Sequence, residues 1–343
     1  MSKIRADREV YEGPSAQAAG ADRRPPSRMV RAALTQTKNA YLAMPSQPSD
    51  VQGLATALDA IRQANVAHNV QLIRAAKEAG ATLVCLGELC TAPYFALSEE
   101  PLWRDLAEDA VEGPSVQAFR QVAAACRIVV VAPIFERCRS GRRFNTAVVI
   151  DADGALLGSF RKVHIPRGHN EQGAFFETFY YDASDGNLPR SAAVQSASPF
   201  FPVFATSVGH IGVAICYDRH FSGSVASLAA AGAEIVLCPA ITFGEKSRRM
   251  WRHEFPTDAM RHRVYIGGSN RKGCEPPWNI EYFGDSYFCG PDGDLANLSH
   301  HPELIVSDLD LRALHAPDPA GWDLRRDQRP ETYAGSSHPG SDA

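Results

Sequence analysis

The chain lacks several features that would place it in common classes of protein. Its eight cysteines form no Cys-x-x-Cys pair, and no Cys/His cluster has zinc-finger spacing, so no metal site is expected. No apolar run approaches the roughly 20 residues of a membrane span, so we expect no membrane partner. A formal net charge of −4 supplies no overall basic field, so nucleic acid is not an expected partner either.

The composition that remains is typical of a globular protein. Hydrophobic residues make up 45% of the 343 residues, enough for a sizeable core. Residues 1–28 are polar and lack the apolar centre of a secretory signal, so they are expected to form a flexible extension. Residues 334–343 are rich in Gly, Ser and Pro and are expected to form a flexible tail, which leaves 29–333 as one domain. Cysteines within predicted buried strands favour reduced thiols and a cytoplasmic location.

Strands and helices alternate along this domain, which predicts a mixed α/β fold. The predicted strands are residues 30–36, 81–86, 128–135, 145–151, 156–160, 203–206, 210–216, 234–239, 264–269, 287–290 and 304–311. The predicted helices are residues 51–80, 115–126, 222–231 and 255–263, and the second of them has its N-cap at Pro114-Ser115. The turn at Asp153-Gly154 predicts a hairpin, so the sheets should be mixed rather than purely parallel.

Cys216 stands where the apolar run Val213-Ala214-Ile215 gives way abruptly to charged residues. The pattern predicts a buried strand, a tight elbow and the start of a helix. Helix N–H groups at such an elbow favour the thiolate, which is the form that attacks a carbonyl carbon. A free cysteine more often packs as a small apolar side chain, so this interpretation requires acid–base partners elsewhere in the chain.

Two such partners directly follow other apolar runs. Glu88 comes after the predicted strand 81–86, and Lys162 comes after the predicted strand 156–160. The carboxylate of Glu88 can take the thiol proton and later activate water, and the ammonium of Lys162 can stabilise a tetrahedral oxyanion. Because the chain has no Gly-x-Ser-x-Gly elbow, these residues predict amide hydrolysis through a thioester on Cys216.

At these residues the chain resembles the nitrilase superfamily of carbon–nitrogen hydrolases. The matching segments are Gly87-Glu88-Leu89, Arg161-Lys162-Val163-His164-Ile165-Pro166 and Gly212-Val213-Ala214-Ile215-Cys216-Tyr217. The resemblance covers roughly residues 30–333 and implies a four-layer αββα sandwich with mixed sheets. It also implies that Glu88 is the base, Lys162 the oxyanion stabiliser and Cys216 the nucleophile, with no cofactor and no metal.

The superfamily site includes a second carboxylate after the lysine. Glu177, in the aromatic segment that begins at Phe176, matches this position, and Glu171 is the alternative on spacing alone. Such a carboxylate would hold Lys162 charged and would position Glu88 or the substrate amide.

Within the superfamily the chain looks most like N-carbamoyl amino acid amidohydrolases, the branch that contains β-ureidopropionase. The resemblance implies that Arg219, in Cys216-Tyr217-Asp218-Arg219-His220, binds the substrate carboxylate, although pairing with a structural acid is the alternative. Asp218 departs from the glycine of that branch's motif. We expect the Tyr217 N–H to help hold the oxyanion, and His164 and His220 either to contact substrate or to support the site.

The predicted activity is cleavage of a small N-carbamoyl amino acid, similar to N-carbamoyl-β-alanine, into amino acid, carbon dioxide and ammonia. An amidase or amide-forming acyltransferase acting on another small substrate is the alternative, since it would use the same thioester. A catalytically silent binding protein is a third possibility, against which the complete Glu, Lys and Cys set argues. The resemblance also implies a homodimer or larger homo-oligomer.

Overall fold

The computed structural model describes residues 28–188, 193–195, 198–329 and 332. The expected extension and tail therefore lie outside the described residues, apart from Arg28. The described strands are β1 (Met29–Thr35), β2 (Leu83–Cys85), β3 (Val129–Arg137), β4 (Arg143–Ile150), β5 (Leu156–Arg161), β6 (Arg167–His169), β7 (Ala174–Phe176), β8 (Val194–Gln195), β9 (Val203–Thr206), β10 (Gly209–Val213), β11 (Ile235–Ala240), β12 (Tyr265–Asn270), β13 (Lys272–Glu275), β14 (Ile280–Phe283), β15 (Tyr287–Gly290), β16 (Gly293–Asp294) and β17 (Leu304–Asp310).

The described helices are α1 (Leu58–Glu78), α2 (Pro114–Cys126), α3 (Glu177–Tyr180), α4 (Ser222–Ala230), α5 (Glu245–His262) and α6 (Leu324–Asp327). Short 3₁₀ helices occupy Pro48–Thr56, Phe95–Leu97, Pro101–Leu106, Cys216–His220 and Ala313–His315. Within the described part of the chain, no helix combines the length and apolar character that crossing a membrane requires.

Two large mixed sheets form the centre of the molecule. The first has the order β17-β1-β2-β3-β4-β5, and the second has the order β16-β15-β12-β11-β10-β9-β8. In each sheet three central strands run parallel, namely β1, β2 and β3 in the first and β10, β11 and β12 in the second. The outer strands pair antiparallel, including the predicted hairpin of β4 and β5. The prediction of mixed sheets is confirmed.

Side chains alternate between the two faces of each sheet, as strand geometry requires. On β1, Ala32 and Leu34 pack in a core shared with Val213 of β10, whereas Ala33 faces Leu72 of α1. The second sheet is covered on its other face by α4 and α5, through residues such as Trp251. The order is therefore helices, sheet, sheet, helices, which confirms the four-layer αββα sandwich.

Element boundaries differ from the sequence predictions in several helices. The helix expected over residues 51–80 is an α-helix only over Leu58–Glu78, and a 3₁₀ helix, Pro48–Thr56, precedes it. Helix α5 begins at Glu245 rather than at residue 255, and Pro256 lies inside it. The charged first half and the internal proline conceal the helical pattern in the sequence. The expected N-cap at Pro114-Ser115 is wrong, because Gly113 is the N-cap and α2 begins at Pro114. The Glu108 carboxylate accepts the backbone N–H of Ser115 at 2.9 Å.

The predicted elbow at Cys216 is confirmed, although the strand ends sooner than expected. Strand β10 stops at Val213, and a single 3₁₀ turn, Cys216–His220, leads into α4. Cys216 adopts the left-handed conformation with φ 49°, which is rare for a residue other than glycine. Strained backbone of this kind persists where the surrounding structure fixes it.

Candidate active site

Four predicted site residues converge where the two sheets meet. Glu88 follows β2, Lys162 follows β5, Glu177 opens α3 and Cys216 stands at the elbow after β10. The exposed fractions of the four residues are 0%, 0%, 1% and 6%, so the cluster is almost sealed from water. Charges in such surroundings interact far more strongly than they would on the surface.

Lys162 lies between the two carboxylates. Its Nζ donates to Glu88 Oε1 at 2.9 Å and to Glu177 Oε2 at 2.5 Å. Burial alone would lower the pKa of Lys162, but the negative charges of Glu177 and Glu88 outweigh burial and raise this pKa above its ordinary value. The side chain is therefore a permanent cation beside the thiol.

Both oxygens of Glu88 are engaged. Oε1 accepts from Asn145 Nδ2 at 2.7 Å in addition to Lys162, and Oε2 accepts the backbone N–H of Ile241 at 2.6 Å. These donors hold the carboxylate in one orientation. Asn145 and Ile241 were not predicted as site residues. Asn145 lies in Phe144-Asn145-Thr146-Ala147, a segment that is similar to the superfamily and could have pointed to it. Nothing in the sequence assigns the backbone of Ile241 to this role.

The second carboxylate is Glu177, and its rival Glu171 lies elsewhere. Glu177 Oε1 accepts the hydroxyl of Tyr94 at 2.9 Å, while Glu171 is exposed and accepts the backbone N–H of Glu245 at the start of α5. Burial raises the pKa of Glu177, Lys162 partly opposes this, and the pKa remains above the usual value. Burial also raises the pKa of Tyr94 well above the usual range, so its phenol stays a donor.

The thiol of Cys216 is not the ready thiolate that the elbow suggested. Burial raises its pKa well above the usual value, and the negative charge of Glu88 adds to the effect, while Lys162 and Arg219 only partly oppose it. The helix after the elbow is a single short turn, too small to offset that desolvation. The resting thiol is therefore protonated, and its reaction requires a base.

Asp218, singled out in the sequence only as a departure from a motif, holds the elbow in place. It is fully buried, and its Oδ1 accepts the backbone N–H groups of His164 at 2.9 Å and Val163 at 3.2 Å. Its Oδ2 accepts the backbone N–H of Ile215 at 3.2 Å. One carboxylate thus joins the segment that follows the lysine to the segment that precedes the nucleophile.

The two histidines have well-defined partners. His164 Nδ1 lies 2.7 Å from Asp218 Oδ1, and its ring stacks on Phe221 with centroids 3.7 Å apart. His220 Nδ1 lies 2.6 Å from Glu254 Oε1. These contacts favour the supporting role for both. The half-buried ring of Tyr217 packs edge-on against His220, and the part of its N–H in oxyanion binding stays a prediction.

Arg219 lies directly beside the nucleophile. Its Nη1 donates to the carbonyl oxygen of Cys216 at 2.7 Å and lies 3.8 Å from the sulfur, while Nη2 donates to Thr242 Oγ1 at 3.3 Å. Nε lies 3.3 Å from Glu254 Oε2. Pairing with a structural acid, the alternative considered for this residue, is thus present in the structure, and the role of Arg219 in binding a carboxylate stays a prediction.

A buried ion pair supports the base from behind. Arg271 Nη1 lies 2.7 Å from Glu275 Oε1, and Arg271 Nη2 donates to the backbone oxygens of Glu88 at 3.3 Å and Ala92 at 3.1 Å. Glu275 in turn accepts the backbone N–H of Tyr94. The segment Ser269-Asn270-Arg271 is similar to the superfamily, but nothing in the sequence indicates that Arg271 and Glu275 pair.

The assembled groups suit covalent acyl chemistry. A protonated thiol, a carboxylate held by fixed donors and a permanent cation are the parts for nucleophilic attack on an amide carbonyl. Among the described residues, no group of three or more His, Cys, Asp or Glu side chains is arranged to hold a metal ion.

Known proteins match this chain along most of its length. It is 34% identical over 281 residues to the β-ureidopropionase of Arabidopsis thaliana, covering 77% of this chain and 64% of that enzyme. The chain thus spans less than two thirds of that relative. It is 30% identical over 283 residues to the N-carbamoylputrescine amidase of Solanum tuberosum, covering 78% of this chain and 88% of that enzyme.

A solved structure agrees with the fold described above. The carbon–nitrogen hydrolase of Helicobacter pylori G27 aligns with a TM-score of 0.71 and 26% identity, covering 90% of this chain and 97% of the other. The profile of the carbon–nitrogen hydrolase family matches residues 38–316. That segment contains all four residues of the buried cluster, and the chain belongs to the carbon–nitrogen hydrolase family, the nitrilase superfamily.

Proposed function

We propose that this protein cleaves the carbamoyl C–N bond of a small N-carbamoyl amino acid, similar to N-carbamoyl-β-alanine, through a thioester on Cys216. The observation that carries the proposal is the buried contact of Lys162 with both Glu88 and Glu177 beside the thiol. An arrangement of this kind, in a family of carbon–nitrogen hydrolases, supports amide cleavage rather than a binding role.

In the proposed first half-reaction, Glu88 takes the proton of the Cys216 thiol as the sulfur attacks the carbamoyl carbon. Lys162 and the N–H of Tyr217 hold the oxyanion that forms. The C–N bond to the terminal nitrogen then breaks, and Glu88 returns the proton to the departing ammonia. The raised pKa of Cys216 makes this base necessary, because the sulfur does not ionise by itself near neutral pH.

In the second half-reaction, Glu88 takes a proton from water as the water oxygen attacks the thioester carbon. The C–S bond breaks, the sulfur recovers its proton, and the resulting carbamic acid loses carbon dioxide to give the free amino acid. Lys162 stays charged throughout, since the pKa of its ammonium is raised. Only the substrate and one water are consumed, and every side chain returns to its starting state.

The choice of an anionic substrate rests on Arg219. Its guanidinium is the cation that approaches the sulfur from the elbow side, with Nη1 3.8 Å away. Guanidinium groups favour carboxylates because they offer paired donors in a planar fork. Similarity to β-ureidopropionase supports the same choice. The other relative is an N-carbamoylputrescine amidase, and N-carbamoylputrescine carries a cationic amine instead of a carboxylate.

Ammonia release from purified protein tests the function. The substrates are N-carbamoyl-β-alanine, N-carbamoyl-α-amino acids, N-carbamoylputrescine and simple amides. We expect turnover to be highest with a carbamoyl amino acid and to vanish in Cys216→Ala, while Cys274→Ala, which changes an exposed cysteine, keeps wild-type activity. Full activity in Cys216→Ala, or turnover of simple amides alone, would contradict the proposal.

Added hydroxylamine separates hydrolysis from acyl transfer. A thioester on Cys216 passes its carbamoyl group to this amine, so the hydroxyurea product should appear at the expense of carbon dioxide. We expect water to be the acceptor when no amine is added. A product that forms only with an added amine would support the acyltransferase alternative instead. A homo-oligomer stays a prediction that light scattering in solution tests.

A further inference from the structure

Glu254 occupies a distinctive place beside the candidate active site. It belongs to helix α5, far along the chain from the nucleophile, and its carboxylate lies between two residues of the elbow. Oε2 is 3.3 Å from Arg219 Nε, and Oε1 is 2.6 Å from His220 Nδ1. The side chains of Arg219 and Glu254 are 2% and 13% exposed, so water screens the pair weakly.

The pair is close without being hydrogen bonded. Neither Arg219 Nε nor Glu254 Oε2 has a hydrogen-bond partner within the described part of the chain, although both atoms are buried. The other end of the guanidinium is fixed, because Nη1 donates to the Cys216 carbonyl. Arg219 therefore keeps unused donor capacity, and what Glu254 supplies is a negative charge that offsets the cation next to the reacting sulfur.

We propose that Glu254 determines how strongly the site prefers anionic over uncharged and cationic carbamoyl compounds, by offsetting the charge of Arg219. A fixed anion beside Arg219 weakens the attraction of this cation for a substrate carboxylate and weakens its repulsion of a substrate ammonium. This inference rests on the proposed function, in which Arg219 faces the charged end of the substrate.

Glu254→Gln tests the inference because it removes the charge and keeps the size of the side chain. The measured quantity is kcat/KM for three carbamoyl compounds: anionic N-carbamoyl-β-alanine, its uncharged carboxamide and cationic N-carbamoylputrescine. We expect the anionic-to-uncharged ratio to rise by on the order of tenfold, and the cationic-to-uncharged ratio to fall. One charge acting across the length of a side chain has about this effect at an effective dielectric constant of about 20.

A control and a second variant complete the experiment. Asp258→Asn removes another mostly buried carboxylate from the same helix and the same surface groove, but Asp258 pairs with Arg261 rather than Arg219. We expect it to leave both ratios unchanged. Glu254→Asp keeps the charge and draws it back by one methylene, so it should raise the anionic-to-uncharged ratio by a smaller factor. This variant also serves if Glu254→Gln does not fold.

The outcomes separate the two proposals. A purely structural role for Glu254 would lower kcat for all three compounds equally, and unchanged ratios in both variants would overturn the inference alone. If the wild-type protein releases ammonia from none of the three compounds, the proposed function is refuted, and this inference with it. Ratios that shift as expected support both.

Discussion

The hydroxyl of Tyr94 offers the sharpest test of how the buried carboxylates are maintained. Tyr94 is 2% exposed, and its hydroxyl donates to Glu177 Oε1 at 2.9 Å. Tyr94→Phe removes this donor and leaves a buried carboxylate oxygen without it. Glu177 then depends more on Lys162, whose ammonium becomes less available to an oxyanion. We expect kcat to fall while KM changes little.

The size of the effect follows from the kind of bond that is lost. A hydrogen bond to a charged group contributes about 1.5–3 kcal/mol, and leaving its buried partner unsatisfied costs a similar amount. If the whole of this appears in the transition state, kcat falls by about ten- to a hundredfold, since about 1.4 kcal/mol corresponds to a factor of ten. The free energy of unfolding should fall by about 1–3 kcal/mol.

Tyr282 supplies a matched control within the same aromatic cluster. The rings of Tyr94 and Tyr282 are 6.4 Å apart, and Tyr282 is 1% exposed. Its hydroxyl has no hydrogen-bond partner among the described residues. Tyr282→Phe thus removes the same atom at similar burial without breaking a bond, and we expect wild-type kcat with unchanged or slightly higher stability.

Steady-state ammonia release and urea unfolding measure both variants. The expected pattern is a lower kcat and lower stability in Tyr94→Phe alone. An equal fall of kcat in both variants would show that the aromatic packing, not the hydrogen bond, matters. Wild-type kcat in Tyr94→Phe would show that Glu177 does not need this donor, and the reasoning would be refuted.

Three further predictions concern the elbow, the thiols and Glu171. Asp218→Asn should lower kcat by at least about tenfold with little change in KM, because one of the two acceptor oxygens becomes an NH2 donor that faces a backbone N–H. An unaffected kcat would contradict this. Unfolding by urea at several pH values should show that the free energy of unfolding falls above about pH 8.5. Burial raises the pKa of Cys216 and raises that of Cys238 to about 12, so above this pH the unfolded chain loses thiol protons that the folded chain keeps. A free energy of unfolding that is constant or rises up to pH 10 would contradict this prediction. Glu171→Gln should keep wild-type kcat, and a loss comparable to that of Glu177→Gln would return Glu171 to the site.

The residues that sequence could predict share a position in the fold. Glu88 and Lys162 follow β2 and β5 of the first sheet and Cys216 follows β10 of the second, so each stands just past the carboxyl end of an apolar strand. A local pattern is therefore enough to select them. The hairpin at Asp153-Gly154 is predictable for the same reason, because the turn and its flanking strands are contiguous in the chain.

The contacts that sequence could not predict join segments distant in the chain. Glu254 reaches Arg219 from a helix whose first half looks too polar to be packed, and Ile241 contributes a backbone N–H that carries no residue-specific signal. The raised pKa of Cys216 also depends on segments that are distant in the chain. A local view of the elbow suggests a stabilised thiolate, whereas burial between two sheets beside Glu88 decides the actual direction.

The charges of the buried cluster explain why its members need to be adjacent. Before attack, one ammonium faces two carboxylates beside a protonated thiol, giving a net charge of one negative unit, with Lys162 kept charged by both neighbours. In the proposed attack, Glu88 becomes neutral as it takes the thiol proton, and an equal negative charge appears on the substrate oxygen. Lys162 then exchanges one anionic partner for another, so the buried charge is constant. Moving charge without changing its total avoids the desolvation cost that an isolated thiolate would incur.

Glu88→Gln should therefore abolish turnover, because the amide cannot accept the thiol proton even though it can keep several of the same contacts. Measurable steady-state turnover in that variant would show that another group removes the proton.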